Sequence, residues 1–197
     1  MARDTRERIV AVARDLVHGA SLAEVSTEEI CKAAGVHKGS LYHFFPSKEA
    51  LGGAVLDRNW EMLHAVLEEA FVADVPPLER IDRFVDSFVR MLSLMRERFG
   101  ATPGCPLGGL AAEVAGHGDD GRARAGRVLS GWTGYFATAI SEAKGRGDVP
   151  ADVDADSAAT RALALIQGLA LLAKAHDDPA LVLLAKADIR LLLRASG

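Results

Sequence analysis

Apolar residues recur at three- and four-residue intervals along almost the whole chain. No useful length alternates with the period of two that marks a half-buried strand. The pattern therefore predicts helices throughout. A first helix starts among Arg3, Arg6 and Arg8 and runs to Val17 or His18, with Ile9, Val10, Val12, Ala13, Leu16 and Val17 on its packing face. Gly19 closes it, and residues 20–25 connect onward. Two short helices follow within 26–45, then a long one over 48–73 with Leu51, Val55, Met62, Leu63, Val66 and Leu67 at apolar spacing. Gly52 and Gly53 weaken its start, so they serve either a bend or close packing against the first helix. Pro76 and Pro77 open a strongly amphipathic helix to Phe99. It turns Ile81, Phe84, Val85, Phe88, Val89, Leu92 and Met95 inward and Arg80, Asp82, Arg83, Asp86, Arg90, Arg96 and Glu97 outward. Two prolines and four glycines break the pattern over 100–109. A short helix to about 114, a loop over 117–121, and helices over 122–144, 158–176 and 179–195 complete the chain, the helix over 158–176 capped by Asp156 or Ser157.

Within this series, residues 26–48 carry the densest local signals. Ser26 is an N-cap and Glu29 completes a capping box. Ile30, Ala33 and Ala34 follow at helical spacing, Gly35 supplies a left-handed C-cap, and Val36 can pack back on the helix. The next helix places Leu41, Phe44 and Phe45 on one face and Lys38, Ser40, Tyr42 and His43 on the other, until Pro46 ends it. Two short helices joined by a glycine turn make a helix-turn-helix, whose second helix can enter a DNA major groove. Ser47 caps the following helix, with Glu49 in its first turn.

Ala-Ala-Gly-Val, Lys-Gly-Ser-Leu-Tyr-His-Phe-Phe and Pro-Ser-Lys-Glu-Ala-Leu occur here in order. Over residues 5–56 the chain resembles the N-terminal domain of the TetR/AcrR family of bacterial transcriptional regulators. The resemblance implies that the second helix of the motif enters the major groove, with His37, Lys38, Gly39 and Ser40 at its leading end. Lys38 can donate to guanine O6 and N7 or to phosphate, and Gly39 leaves room for close approach. Tyr42 and His43 match positions that meet the backbone or nearby bases, while Lys48 and Thr27 suit phosphate. Glu28 cannot favour phosphate; it either points away or reads cytosine N4. Arg3, Arg6 and Arg8 form either a phosphate-touching arm or a solvated end, since Asp4 and Glu7 lie among them.

Bulk composition narrows the classes. The 197 residues are 49% hydrophobic and 25% charged, which is globular, and the net charge of −4 opposes indiscriminate coating of nucleic acid. Charge distribution matters more. From residue 30 to 48 there are three lysines (Lys32, Lys38, Lys48) and no acid. Cys31 and Cys105 lie far apart, so no disulfide framework is expected, and no secretory pattern appears. The longest uncharged apolar run, 162–173, is short for a bilayer. A cytoplasmic protein without a membrane segment is expected.

The remainder suggests a body domain. The helix over 158–176 is apolar on nearly every face, so a second subunit is expected to cover it. Gly126, Gly131 and Gly134 lie within 122–144, where they imply close helix approach or space for a ligand. Trp60, Phe88, Met91, Met95, Cys105, Trp132, Tyr135 and Phe136 are candidates to line an apolar pocket; the resemblance implies an effector there, and the aromatic content of 122–144 fits a small apolar or aromatic one. Taken singly, each is better read as a core residue. Cys105, just before a predicted helix, is either a reactive thiol or a small filler. No Gly-x-Ser-x-Gly, His-Glu-x-x-His or Walker A motif occurs, so no enzyme is expected. His37 with His43, and His117 with Asp119 and Asp120, lack metal-ligand spacing, so neither metal nor cofactor is expected.

The expected architecture is all-α. Residues 1–52 form a helix-turn-helix domain, and 53–197 an effector-binding and dimerisation domain. The expected protein is a repressor that binds a palindromic double-stranded operator as a homodimer through 158–176 and 179–195. The alternative is a helical sensor or interaction module without specific DNA binding.

Overall fold

The computed structural model describes residues 2–195. Among them are α1 (Ala2–Gly19), α2 (Thr27–Ala34), α3 (Lys38–Phe44), α4 (Lys48–Ala70), α5 (Pro77–Phe99), α6 (Gly108–Ala115), α7 (Gly118–Arg146), α8 (Ala155–His176), a 3-10 turn (Pro179–Leu183) and α9 (Leu184–Leu192). No strand occurs among the described residues. The fold is all-helical.

Two compact units emerge: Met1–Met62 with Pro106–Val128, the head, and Leu63–Cys105 with Leu129–Gly197, the body. This division lies later than residue 52 and draws in a distant segment. The reason is visible in α4: Asn59, buried in the head, donates its side-chain amide to Pro106 O at 2.8 Å, and Arg14 reaches Met62 Sδ.

The head buries Ile9, Val10, Ala13 and Val17 of α1 together with Ile30 and Ala34 of α2, Leu41 of α3, and Leu51, Val55 and Leu56 of α4. Its connector is held from a distance. Glu113 of α6 accepts the backbone N–H groups of Leu22 and Ala23 at 3.3 and 3.0 Å. Gly52 and Gly53 are explained by close packing, though not against α1. A Cβ on Gly52 would lie 2.3 Å from the Leu22 side chain, and one on Gly53 would meet the Arg124 side chain at 3.0 Å. Arg124 also pairs with Asp57.

In the body, an aromatic cluster joins α5 and α7. Phe84 meets Trp132 edge-on with ring centroids 5.5 Å apart, and Phe88 and Phe136 at 5.8 and 5.6 Å. Such pairs add packing energy beyond their buried area. Arg80 departs from its expected outward position. It is buried, donating through Nε to Val75 O at 2.7 Å and through Nη2 to Ala73 O at 3.0 Å, and it pairs with Glu142 at 2.9 Å. Those carbonyls follow the end of α4, and a rigid guanidinium fork satisfies both.

Three element boundaries also differ. The expected loop at 117–121 is mostly helix, because α7 begins at Gly118 and places Asp119 and Asp120 in its first turn, where the dipole favours acids. The cap of α8 is Asp154, accepting from Ser157 N at 2.7 Å, rather than Asp156 or Ser157. The last segment opens as a 3-10 turn under Asp178 before α9 forms.

Candidate nucleic-acid interface

The reader begins at a closed capping box. Glu29 N–H donates to Ser26 Oγ at 3.2 Å, and Ser26 N–H donates to Glu29 Oε2 at 2.8 Å. The Ser26 backbone donor foremost, and then its hydroxyl, which donates to Glu29 Oε2 at 2.7 Å, hold the Glu29 carboxyl below the usual range. Helix α2 then stops at Gly35 with φ +61, and Val36 N–H returns to Cys31 O at 3.0 Å. This is the Schellman arrangement, which any residue with a Cβ would strain. Cys31 is buried beneath the motif, and burial pushes its thiol pKa up, away from reactivity.

Helix α3 hangs from its apolar side. Leu41 is fully buried and Phe45 nearly so, and the Arg6 guanidinium lies 5.2 Å from the Phe45 ring centroid. Phe45 leaves helical geometry at φ −133, as the following Pro46 requires. His37, the N-cap, makes no side-chain capping bond. His37, Lys38, Gly39, Tyr42 and His43 are exposed; Ser40, Thr27 and Lys48 are half-buried.

Two lysines of this surface differ in their partners. Lys48 Nζ donates to Ala23 O at 2.9 Å, a backbone anchor rather than an ion pair. Lys38 Nζ lies 2.7 Å from Glu28 Oε1, across the turn between the two helices. The Glu28 hydrogen bond raises the Lys38 pKa, and Lys38 in turn lowers that of Glu28, so both stay charged. Thr27 Oγ1 donates to the second Glu28 oxygen at 3.2 Å. Glu28 thus stands against Lys38 on the exposed surface of the motif. The signal available in sequence was placement: each residue sits in the first turn of one helix of the motif.

The α1 arginines are engaged within the head. Arg3 pairs with Glu7 at 3.1 Å, and Arg8 Nε donates to Ala34 O at 3.0 Å.

The body holds a cleft of about 440 Å³ lined by Phe71, Arg80, Gly131, Gly134, Tyr135 and Glu142 among others. Of the expected pocket residues, Tyr135 lines this cleft. Its hydroxyl donates to Glu68 and lies 2.8 Å from His64 Nε2. A phenol has one proton, so the His64 nitrogen must be the donor in that second bond. Burial, then the Glu68 hydrogen bond, pushes the Tyr135 pKa up to about 12. Phe88, Trp132 and Phe136 are fully buried in the aromatic cluster, where the Trp132 indole N–H finds no acceptor. Met91 and Met95 are half-buried on α5, and Trp60 is half-buried on the head portion of α4. Cys105 is half-buried and its Sγ accepts from Gln167 Nε2 at 3.4 Å. No cluster of His, Cys, Asp and Glu among the described residues has metal-binding geometry.

Comparison with known proteins agrees with the reader. Residues 9–55 match the bacterial regulatory proteins of the tetR family, and residues 77–188 match the tetracyclin repressor-like C-terminal domain. The transcriptional regulator AcuR of Cereibacter sphaeroides is 35% identical over 138 residues; the match spans 70% of this chain and 61% of AcuR, less than two thirds of that relative. The HTH-type transcriptional repressor NemR of Escherichia coli is 29% identical, over 72% of this chain and 69% of its own. The crystal structure of reduced NemR superposes with a TM-score of 0.83 at 26% identity, covering 98% of this chain and 99% of that one. A regulatory protein TetR from Rhodobacter sphaeroides superposes with a TM-score of 0.79 at 29% identity, covering 93% and 95%. With the C-terminal match alone spanning more than half the residues and a capped two-helix reader at the front, the chain belongs to the TetR family of bacterial regulatory proteins and is a DNA-binding transcriptional regulator.

Proposed function

We propose that this regulator is a cytoplasmic, homodimeric repressor that reads a palindromic operator and changes its operator affinity when a small apolar or aromatic effector binds in the body. The observation that carries the reading is the mounting of α3. Its apolar face is anchored by Leu41 and Phe45, while His37, Lys38, Gly39, Tyr42 and His43 remain exposed. In this reading His37, Lys38, Gly39 and Ser40 meet base edges, Tyr42 and His43 meet sugar-phosphate, and Thr27 and Lys48 hold phosphate.

One head offers few donors, so specificity requires two, related by a two-fold axis. Uncovered leucines on the last two helices support dimerisation there: Leu171 is 67% exposed, Leu184 55% and Leu191 78%. Apolar surface of this kind on neighbouring helices suits a self-complementary contact. The aromatic cluster and the Tyr135 cleft support an effector with an aromatic or apolar portion. Such an effector acts by binding two body conformations unequally.

A mobility-shift assay on the DNA upstream of the coding sequence tests the reading. Specific binding is expected, weakened about tenfold by Lys38→Ala. Absence of a specific shift at any protein concentration sinks it. A monomer by equilibrium sedimentation at micromolar concentration sinks the dimer.

A further inference from the structure

Glu28 sits where an acid should be unwelcome, beside the donors of a DNA reader. Glu29 is committed to the capping box, so Glu28 is the carboxylate of the first α2 turn that faces Lys38. Both side chains are more than half exposed, and an exposed ion pair contributes little to stability. The dipole of α2 favours an acid in this first turn, but it does not select a partner across the turn. Thr27 holds one carboxylate oxygen and Lys38 the other, so the pair is oriented as a unit with an acceptor and a donor 2.7 Å apart.

We infer that Glu28 and Lys38 act together as a two-atom reader of a C·G base pair, with Glu28 as a specificity-determining residue. This rests on the DNA-reading function proposed above. The major-groove edge of a C·G pair presents the cytosine N4 donor beside the guanine O6 acceptor, joined by a hydrogen bond of about 2.9 Å. The ion pair offers the complementary order at nearly the same spacing. Glu28 accepts from N4, Lys38 donates to O6 and N7, and the salt bridge need not break. On an A·T pair the carboxylate can take adenine N6, but Lys38 then meets thymine O4 flanked by the methyl group, which strips water from a charge without a second acceptor. Phosphate offers the carboxylate only repulsion. Glu28 therefore also suppresses binding of Lys38 to non-specific DNA.

The test is a set of operators carrying every single-base-pair substitution, bound to the full chain and to its Glu28→Gln and Lys38→Ala variants. The wild type should prefer C·G at one position of each half-site by about tenfold. Glu28→Gln should move that preference to A·T, since a carboxamide pairs with adenine N6 and N7, and should bind scrambled DNA more tightly with a salt dependence steeper by about 0.9 in log–log slope. Lys38→Ala should flatten the same position. A preference map unchanged by Glu28→Gln overturns the inference while leaving DNA reading intact. No sequence preference in the wild type overturns the functional reading and the inference with it.

Discussion

The head and the body use polar groups in opposite ways. In the reader most such bonds join near neighbours: Ser26 with Glu29, Val36 N–H with Cys31 O, and Glu28 with Lys38 across one turn. In the body they span the fold. Arg80 reaches Glu142, Arg190 reaches Asp82, and Asp177 accepts from Arg96 at 2.9 and 2.8 Å and from the Thr102 backbone and hydroxyl at 2.8 and 2.9 Å. The difference teaches where each unit draws its shape. Local caps make the reader and leave its donors facing water, ready for a nucleic acid. Long-range clasps between charged and polar groups make the body. The head has long-range bonds of its own, from Glu113, Arg124, Asn59 and Arg8 to its scaffold and from Lys48 of the reading surface to Ala23 O.

The largest expected effect tests the body. Arg80→Ala abandons two backbone carbonyls and a half-exposed carboxylate, and should cost about 3 kcal/mol in denaturant unfolding. A loss no larger than for a surface substitution would break the contrast. Ser26→Ala should cost about 1 kcal/mol, seen as faster amide exchange confined to the start of α2, because the cap it removes is local. Protection lost in α5 or α8 as well would contradict that locality.

A smaller effect is confined to acid. The Arg96 guanidinium, with the two Thr102 donors, holds the Asp177 carboxyl far below its ordinary value of 3.8. A depressed folded-state pKa contributes stability above the unfolded value and loses it as pH falls toward the folded one. Wild type should thus lose stability progressively below about pH 4, and Asp177→Asn should lose less over the same range. Equal acid slopes would remove Asp177 from the account. The group is exposed, so the difference should be modest and shrink with salt.

The smallest effect is spectroscopic. Tyr42 and Tyr135 are the two tyrosines of the chain, so Tyr42→Phe isolates the second. Its ultraviolet titration should have a midpoint near 12, raised by burial and by Glu68, and fall toward the ordinary 10 in Glu68→Gln. The raised value adds stability up to about pH 10 that is lost as pH rises toward 12. An ordinary midpoint in the folded protein would show the clasp to be loose.

Much of the reader was legible because its determinants lie within one or two turns. Ser26, Glu29, Gly35 and Pro46 each act on a backbone a few residues away, and each appears where its chemistry predicts. Arg80 was not legible, since its helix position alone assigns it to solvent and only the carbonyls of Ala73 and Val75 call it inward. The start of α7 was hidden for a similar reason: glycines and adjacent acids read as loop until a helix dipole is there to use the acids. Glu28 was ambiguous between pointing away and reading a base. Distance to Lys38 gave it a partner.

By itself, the order of residues determined the helical class, the capped reader and the donors on its exposed face, because periodicity, caps and turns act over a few residues. Tertiary structure decided the rest: that Gly52 faces Leu22, that Glu28 and Lys38 stand as a pair, that Tyr135 lines a cleft while Trp132 is fully enclosed. Those facts depend on which surfaces meet, and the chain decides that only when its apolar faces close on one another.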